Sequence, residues 1–122
     1  MNNAVNWFEI PVENFDRANK FYSSILDAEL HIQEMMNIKM GFLPCDQGAV
    51  GGSICRGEGY VPSDKGTVVY LNGGDDLNKV LNRVESAGGK VLMPKTQINE
   101  EIGYMAFFGD SEGNKVALHS YK

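Results

Sequence analysis

Cysteine, histidine, tryptophan and proline are all scarce in this chain of 122 residues, which has two, two, one and four of them. The two cysteines, Cys45 and Cys55, lack the spacing of a metal-binding motif, so we expect two reduced and partly buried thiols. No Cys–His or Ser–His pair has a spacing that favours nucleophilic catalysis. The sequence therefore contains no cysteine motif for a metal and no recognisable nucleophile–histidine pair.

Clusters of positive charge and long apolar runs are missing as well. The 11 Lys and Arg are scattered among 16 Asp and Glu, and the formal net charge is −5. This balance argues against a nucleic-acid surface and against an anionic membrane surface. No apolar run approaches the roughly 20 residues that span a bilayer, and the N-terminus lacks a basic-then-apolar signal pattern. We expect a cytoplasmic protein that binds neither nucleic acid nor membrane.

The order of predicted elements occurs twice along the chain. Residues 5–12 alternate as a strand, an amphipathic helix capped by Asn14 follows, and three short strands complete the unit. After a connector rich in Gly, Pro and Ser, the same order recurs, with a helix capped by Asp75 or Asp76 that carries a stripe of Leu77, Val80, Leu81 and Val84. We predict a single domain over 1–122, with a first module at about 1–57, a linker at 58–65 and a second module at about 66–122.

These patterns predict an α+β fold. Two βαβββ modules in tandem can bury their apolar faces if the helices cover the outer side and the sheets form one cup-shaped mixed sheet. On the first and last strands, Phe8, Ile10, Val116 and Leu118 face the core. Trp7, Glu9, Ala117 and His119 then lie on the opposite side, where they would line the cup between the modules.

The sequence resembles the vicinal oxygen chelate superfamily, which includes glyoxalase, bleomycin-resistance protein and extradiol dioxygenase. The resemblance rests on WFEIPVENFDRANKFYSSIL, VVYLNGGDDLNKVLNRVESAGGKVLMPK and GYMAFFGDSEGNKVALHS, which cover nearly the whole chain. It implies paired βαβββ modules around a cleft, frequently in a homodimer. It implies no single function, because the members include lyases, dioxygenases, epimerases and drug-sequestering proteins.

The resemblance also implies where a metal would be held. In metal-dependent members, four inward side chains such as His, Glu or Gln bind a divalent ion. Those positions fall here on Trp7, on Gly51 or Gly52, near Val69 and on Ala117. None of these side chains supplies a metal ligand, so we predict no bound metal and no cofactor. A shifted site built on Glu9 and His119 would have only two ligands and is the weaker alternative.

The candidate site residues all follow from the predicted cup. Glu9 could act as a base and His119 as an acid or orienting donor, although each also suits an ordinary strand position. Trp7 is either core or a flat wall for a planar ligand, and two adjacent glycines in a strand indicate a bulge or a need for room. The ligand-binding set we predict is Trp7, Glu9, Gly51, Gly52, Tyr70, Tyr104, Phe107, Ala117 and His119. The loop at 95–103 and the connector around Tyr60 are candidate covers.

The sequence favours a homodimeric protein that binds a small organic molecule in this cup without a metal. Two alternatives stay open. One is a lyase or isomerase of the glyoxalase superfamily that uses Glu9 as base. The other is a non-catalytic regulatory or partner domain. Metal-dependent glutathione-thioester chemistry and extradiol dioxygenation are opposed by the residues at the four ligand positions.

Overall fold

A computed structural model describes residues 3–122 and shows the same order of elements twice. The first module consists of β1 (Trp7–Pro11), α1 (Phe15–Leu26), β2 (His31–Met35), β3 (Ile38–Phe42) and β4 (Gly51–Arg56). The second consists of β5 (Tyr70–Asn72), α2 (Asn78–Leu81), β6 (Lys90–Asn99), β7 (Gly103–Gly109) and β8 (Lys115–Ser120).

Each module forms its own four-stranded sheet. The strand orders are β1-β4-β3-β2 and β5-β8-β7-β6, so the first strand of each module lies at an edge beside the last. That pair is parallel in both modules, and the remaining pairs are antiparallel. The predicted α+β fold of two βαβββ modules with mixed sheets is confirmed.

Helix α1 forms as its sequence predicts. The Asn14 side chain accepts a hydrogen bond from the Arg17 N–H at 3.0 Å and caps the helix. The helix ends where Asp27 adopts a left-handed conformation with φ of 52°, which Asp tolerates better than most residues. Its buried side is formed by Phe15, Ala18, Phe21, Tyr22 and Ile25.

Helix α2 is a single turn, shorter than predicted. After it, the N–H groups of Arg83 and Val84 bond to carbonyls three residues back, which is turn geometry. Leu77 holds the cap position of the regular turn and makes no capping bond through its side chain. The Asp76 carboxylate accepts from the Asn78 N–H at 3.0 Å instead. The predicted apolar stripe is still buried throughout: Leu77, Val80, Leu81 and Val84.

One predicted boundary in the second module is also corrected. Residues 95–99, predicted as part of a loop over the cup, continue β6 and pair with β7, where Thr96 lies beside Met105 and Asn99 beside Gly103. Only the turn at 100–102 separates these strands. Strand β5 begins at Tyr70, although the Val69 carbonyl before it already accepts from the Ala117 N–H.

One hydrophobic core joins the modules. Buried residues of α1, β1 and β4 belong to the same cluster as those of α2, β7 and β8. The Phe21 and Phe108 rings lie 6.0 Å apart and connect the first helix directly to the second sheet. The two modules therefore bury their helix-facing sides together.

The turn between β7 and β8 docks onto the first module through a polar cluster. We call residues 109–114 the docking turn. Asp110 accepts a hydrogen bond from the Tyr22 hydroxyl at 2.7 Å, and both residues are buried. Burial and the Asp110 carboxylate raise the pKa of Tyr22 well above its ordinary value, so the phenol keeps its proton. Asn114 donates to the Pro11 carbonyl at 2.7 Å and accepts from the Ser63 N–H at 3.0 Å.

Glu112 extends this cluster to the start of α1. Its carboxylate accepts from the backbone N–H groups of Glu13 and Asn14 at 3.1 and 2.8 Å, and from the Arg17 guanidinium at 2.7 Å. Burial alone would raise the pKa of Glu112, but hydrogen bonds from Arg17, the Asn14 backbone and Ser111 outweigh it and lower the pKa to about 2. A charge supplied by the second module thus stabilises the N-terminus of the first helix.

We expect Glu112→Gln to lower the free energy of unfolding by about 1–2 kcal/mol at neutral pH, a value reduced because the partner Arg17 is half exposed. Because folding lowers the pKa of Glu112 from 4.5 to about 2, its contribution is present above pH 4.5 and is lost as the pH falls towards 2. Denaturant unfolding across this pH range should therefore show a flatter acid limb for the variant. Glu85→Gln, at an exposed position of the second module, is the control, and an equal effect there would contradict this role.

Candidate functional site

The side of the first sheet that faces away from α1 carries a row of functional groups. Register places Glu9 beside Ser53, Ser53 beside Phe42 and Phe42 beside His31. The alternate residues Ile10 and Ile54 point to the core. We call this surface the Trp7 face, and it comprises Trp7, Glu9, His31, Gln33, Met40, Phe42, Gly51, Ser53 and Cys55.

Aromatic rings form one wall of the Trp7 face. Trp7 is 45% exposed and meets the Phe42 ring edge-on, with centroids 5.6 Å apart. The Phe42 ring stacks on His31 at 5.9 Å with 26° between the planes. Half-exposed, mutually supported rings provide a flat apolar surface with little freedom to move.

Glu9 lies two residues from Trp7 on the same strand and is exposed. The Tyr60 hydroxyl donates to its Oε1 at 2.8 Å, and this bond raises the pKa of Tyr60 to about 12. Behind it, burial raises the pKa of the Cys55 thiol to about 11, to which the nearby Glu9 charge adds. Both neighbours thus keep their protons, and the hydrogen bond that the Glu9 carboxylate accepts comes from an uncharged hydroxyl.

Tyr60 belongs to the connector between the modules, residues 57–66, which we call the strap. One end of the strap is held by Tyr60 on Glu9 and the other by the Ser63 N–H on the Asn114 side chain. Asn114 belongs to the docking turn, so the second module fixes the strap over the first. The strap therefore borders the Trp7 face beside its carboxylate.

The two adjacent glycines of β4 serve opposite sides of the sheet. Gly51 pairs with Trp7, and a Cβ there would lie 2.8 Å from Cys45 Sγ and 3.5 Å from the indole. A Cβ on Gly52 would lie 2.4 Å from the Phe8 ring, which packs against the core. Gly51 makes room for the Cys45 side chain on the Trp7 face, whereas Gly52 makes room for Phe8 on the core side.

The corresponding side of the second sheet carries a different set. Tyr70, Ala117 and Phe107 lie side by side in register, with Ala117 in the middle. Ala117 is 0% exposed, and the flanking Tyr70 and Phe107 rings lie 6.2 Å apart. The Lys115 ammonium lies 4.3 Å from the centre of the Phe107 ring. We call this surface the Ala117 face, and it comprises Tyr70, Asn72, Met105, Phe107, Ala117 and His119.

His119 is held in one orientation on the Ala117 face. Its Nε2 lies 2.6 Å from the Ile102 carbonyl, and its ring meets Tyr121 edge-on at 4.7 Å. Because a carbonyl can only accept, Nε2 carries the proton of the neutral ring and Nδ1 keeps its lone pair. The residue can therefore accept a proton or a hydrogen bond at Nδ1.

The structure brings the predicted residues together in two groups. Trp7, Glu9 and Gly51 share the first face, and the second face holds the remaining group of Tyr70, Phe107, Ala117 and His119. The other two predicted residues, Gly52 and Tyr104, lie on the core side of their sheets. Tyr104 lies on the same side of β7 as Ala106 and Phe108, because alternate residues of a strand share a side. Its side chain could reach the other side only if the pairing of β7 shifted by one residue.

Sequence reasoning missed Phe42 and Met105 as surface-lining residues. The alternation in IKMGF and GYMAFFG contained the signal, since each strand has one residue set per face. The pairing register decides which of the two sets faces the core and which faces outward. That register is known only from the assembled sheet.

The four family metal positions do not fit a divalent ion in this chain. Register identifies the second position as Gly51, the partner of Trp7, and the third as Tyr70, the partner of Ala117. Val69, the earlier choice for the third position, packs against the core. A single phenol oxygen is far from the three or four ligands that a stable site requires. Within residues 3–122, no group of three or more His, Cys, Asp or Glu is placed to hold a metal.

Comparison with known proteins identifies the family. Residues 4–118 match the model of the Glyoxalase/Bleomycin resistance protein/Dioxygenase superfamily. The chain belongs to this superfamily. A glyoxylase-like domain-containing protein of Didymella fabae is 28% identical over 123 residues, which cover 97% of this chain and 94% of the relative.

Two solved structures share the fold of this chain. Glyoxalase I of Zea mays superposes with a TM-score of 0.67 at 19% identity, over 94% of this chain and 43% of that one. TnmS3, an antibiotic binding protein of Streptomyces sp. CB03234, superposes with a TM-score of 0.61 at 21% identity, over 97% and 95% of the two chains. At these identities the likeness establishes the architecture alone. Among the described residues, no helix is long and apolar enough to cross a membrane.

The two glycines of β4 should respond differently to the same substitution. We expect Gly52→Ala to lower the free energy of unfolding by about 1–3 kcal/mol, because the new methyl group overpacks the Phe8 ring. Gly51→Ala should cost less than about 1 kcal/mol, because the exposed Cys45 side chain can move, and it should shift the Trp7 emission. Denaturant unfolding followed by circular dichroism and by fluorescence separates the two effects. The reverse order of stabilities would contradict the assignment of faces.

Proposed function

We propose that this protein is a metal-independent binding protein for a small planar organic molecule, with Trp7 as the surface on which the ligand stacks. The observation that carries the proposal is the half-exposed Trp7 ring, which is supported by Phe42 and lies beside Gly51. Aromatic rings of this kind bind planar ligands by stacking. The family ligand positions support binding without a metal, because they carry indole, hydrogen, phenol and methyl groups.

The proposal extends to a homodimer. Trp7 and Tyr70 are 45% and 50% exposed, on different modules, and each ring packs against an aromatic ring of its own sheet. Large exposed aromatic residues on two faces favour an interface or a ligand that covers them. A cup formed by the Trp7 face and the Ala117 face would cover both. The antibiotic binding protein with a similar fold, TnmS3, is consistent with a binding role for this architecture.

A second candidate is a lyase or isomerase of the superfamily, in which Glu9 takes a proton from a bound carbon acid. The observation that favours it is the hydrogen bond from His119 Nε2 to the Ile102 carbonyl, which leaves the Nδ1 lone pair as a possible base or acceptor. Conversion of a bound compound by the purified protein would decide for this alternative. A regulatory domain with no ligand is the third candidate, and a cytoplasmic location stays a prediction from the sequence.

Native mass spectrometry of protein taken directly from cells tests the proposal as a whole. We expect a dimer mass, a bound organic molecule of low mass and no stoichiometric metal, because the family ligand positions lack donors. Elemental mass spectrometry of the purified protein is the independent check. One full equivalent of Ni, Zn, Fe or Mn per chain would contradict metal-independent binding.

The stacking role of Trp7 can be measured with coumarin, a neutral planar probe, by ligand-observed NMR. We expect Trp7→Ala to weaken its binding about tenfold, the loss expected for one aromatic stacking contact. Ile32→Ala is the control, because Ile32 is similarly exposed at 46% but lies beside Gly41 on the opposite side of the same sheet. Equal effects of the two substitutions, or none from Trp7→Ala, would contradict a ligand surface at Trp7.

A further inference from the structure

The charges on the first sheet are divided unevenly between its two sides. Glu9 is the only carboxylate of the Trp7 face, and no lysine or arginine of residues 3–122 belongs to that face. Lys39 and Arg56 pair with each other across β3 and β4 on the other side. There Lys39 lies over the Phe15 ring and Arg56 donates to the Glu13 carbonyl. The Glu9 carboxylate therefore has no cationic partner among the described residues.

The groups around Glu9 are uncharged donors. The Tyr60 hydroxyl donates a hydrogen bond to Glu9 Oε1 at 2.8 Å, and Tyr60 belongs to the strap. The Cys55 thiol is buried beneath and bonds to Ser53 at 3.2 Å. This arrangement orients an exposed carboxylate without neutralising its charge, so the charge remains available to a ligand.

The spacing of Glu9 and Trp7 matches a simple class of molecule. Residues two apart on a strand lie about 6 to 7 Å apart on the same side of the sheet. A planar ring against the indole can place an attached amine or amidine group beside the carboxylate over that distance. Aromatic faces attract cations as well, because the ring quadrupole is negative above its plane. Trp7 and Glu9 thus favour the same charge.

We propose that the Trp7 face selects planar organic cations, with the ring on Trp7 and the positive group on Glu9, and that Tyr60 is the residue that positions the carboxylate. The inference rests on the proposed function, which requires a ligand at Trp7 and says nothing about its charge. The inference adds the charge of the ligand, which follows from the Glu9 carboxylate as the unpaired charge of the Trp7 face.

The test compares benzamidine, a planar cation at neutral pH, with benzamide, which has nearly the same shape and no charge. Quenching of Trp7 fluorescence reports binding, because Trp7 is the only tryptophan of the chain. At low ionic strength we expect benzamidine to bind about fivefold more tightly, the preference that an exposed ion pair and a cation–π contact supply together. The preference should shrink as salt is added, whereas the benzamide affinity should hold.

Glu9→Gln should lower the ratio of the two affinities to the share that the cation–π contact with Trp7 supplies, without changing the benzamide affinity, since only the ion pair is lost. Glu34→Gln removes the same charge from the opposite side of the sheet, beside Lys39, and should preserve the ratio. Tyr60→Phe should reduce the ratio and leave benzamide unaffected, as expected of a positioning residue.

Three results would overturn charge selection. Equal Trp7-dependent affinities for the two probes would do so and leave the proposed function standing. If Glu34→Gln also removed the preference for benzamidine, that preference would come from the net charge of the protein and not from Glu9. Failure of both probes to quench Trp7 at millimolar concentration would also overturn charge selection. The coumarin comparison then tests the proposed function independently. The salt series uses the unmodified protein and does not depend on the folding of any variant.

Discussion

The buried hydrogen bond between Tyr22 and Asp110 is the contact on which the arrangement of the two modules depends. It joins the first helix to the turn between the last two strands at 2.7 Å, inside a core that both modules share. Asn114 bonds to Asp110, to the Pro11 carbonyl and to the strap from the same turn. A phenol and a carboxylate removed from water are stable only while paired, so this junction permits one docking geometry.

The same cluster explains the sequence features that identify the family. The Phe21–Tyr22 pair of the first helix and the Asp110, Gly113 and Asn114 of the last turn were separate patterns in the sequence. In the structure they meet, because Phe21 contacts Phe108 and Tyr22 contacts Asp110. Gly113 has a positive φ of 90°, which the tight turn requires. These residues therefore hold the modules together, and a structural role of this kind establishes the fold without establishing a function.

Sequence alone predicted the order of the elements because most of them have a strong local signal, whereas the length of α2 and the extent of β6 did not follow from theirs. The Asn14 cap, the α1 stripe and the turn at Met36–Asn37, where both residues have positive φ, are all set by neighbouring residues. The site was harder to predict. Alternation assigned Trp7 and Glu9 to one face, yet only the pairing of β1 with β4 distinguishes Gly51 from Gly52. The Tyr60–Glu9 contact spans 51 positions and has no local signature.

The side chains packed around Ala117 indicate that more than one substitution separates the second face from a metal site. Ala117 is fully buried between Tyr70 and Phe107, whose rings lie 6.2 Å apart. A glutamate at that position would have to displace at least one ring or bury its charge between them, and an unpaired buried carboxylate is costly. Restoring one ligand would still leave Trp7, Gly51 and Tyr70 at the other positions. The Tyr70 and Phe107 rings therefore occupy the space beside Ala117 that a longer, metal-binding side chain would need.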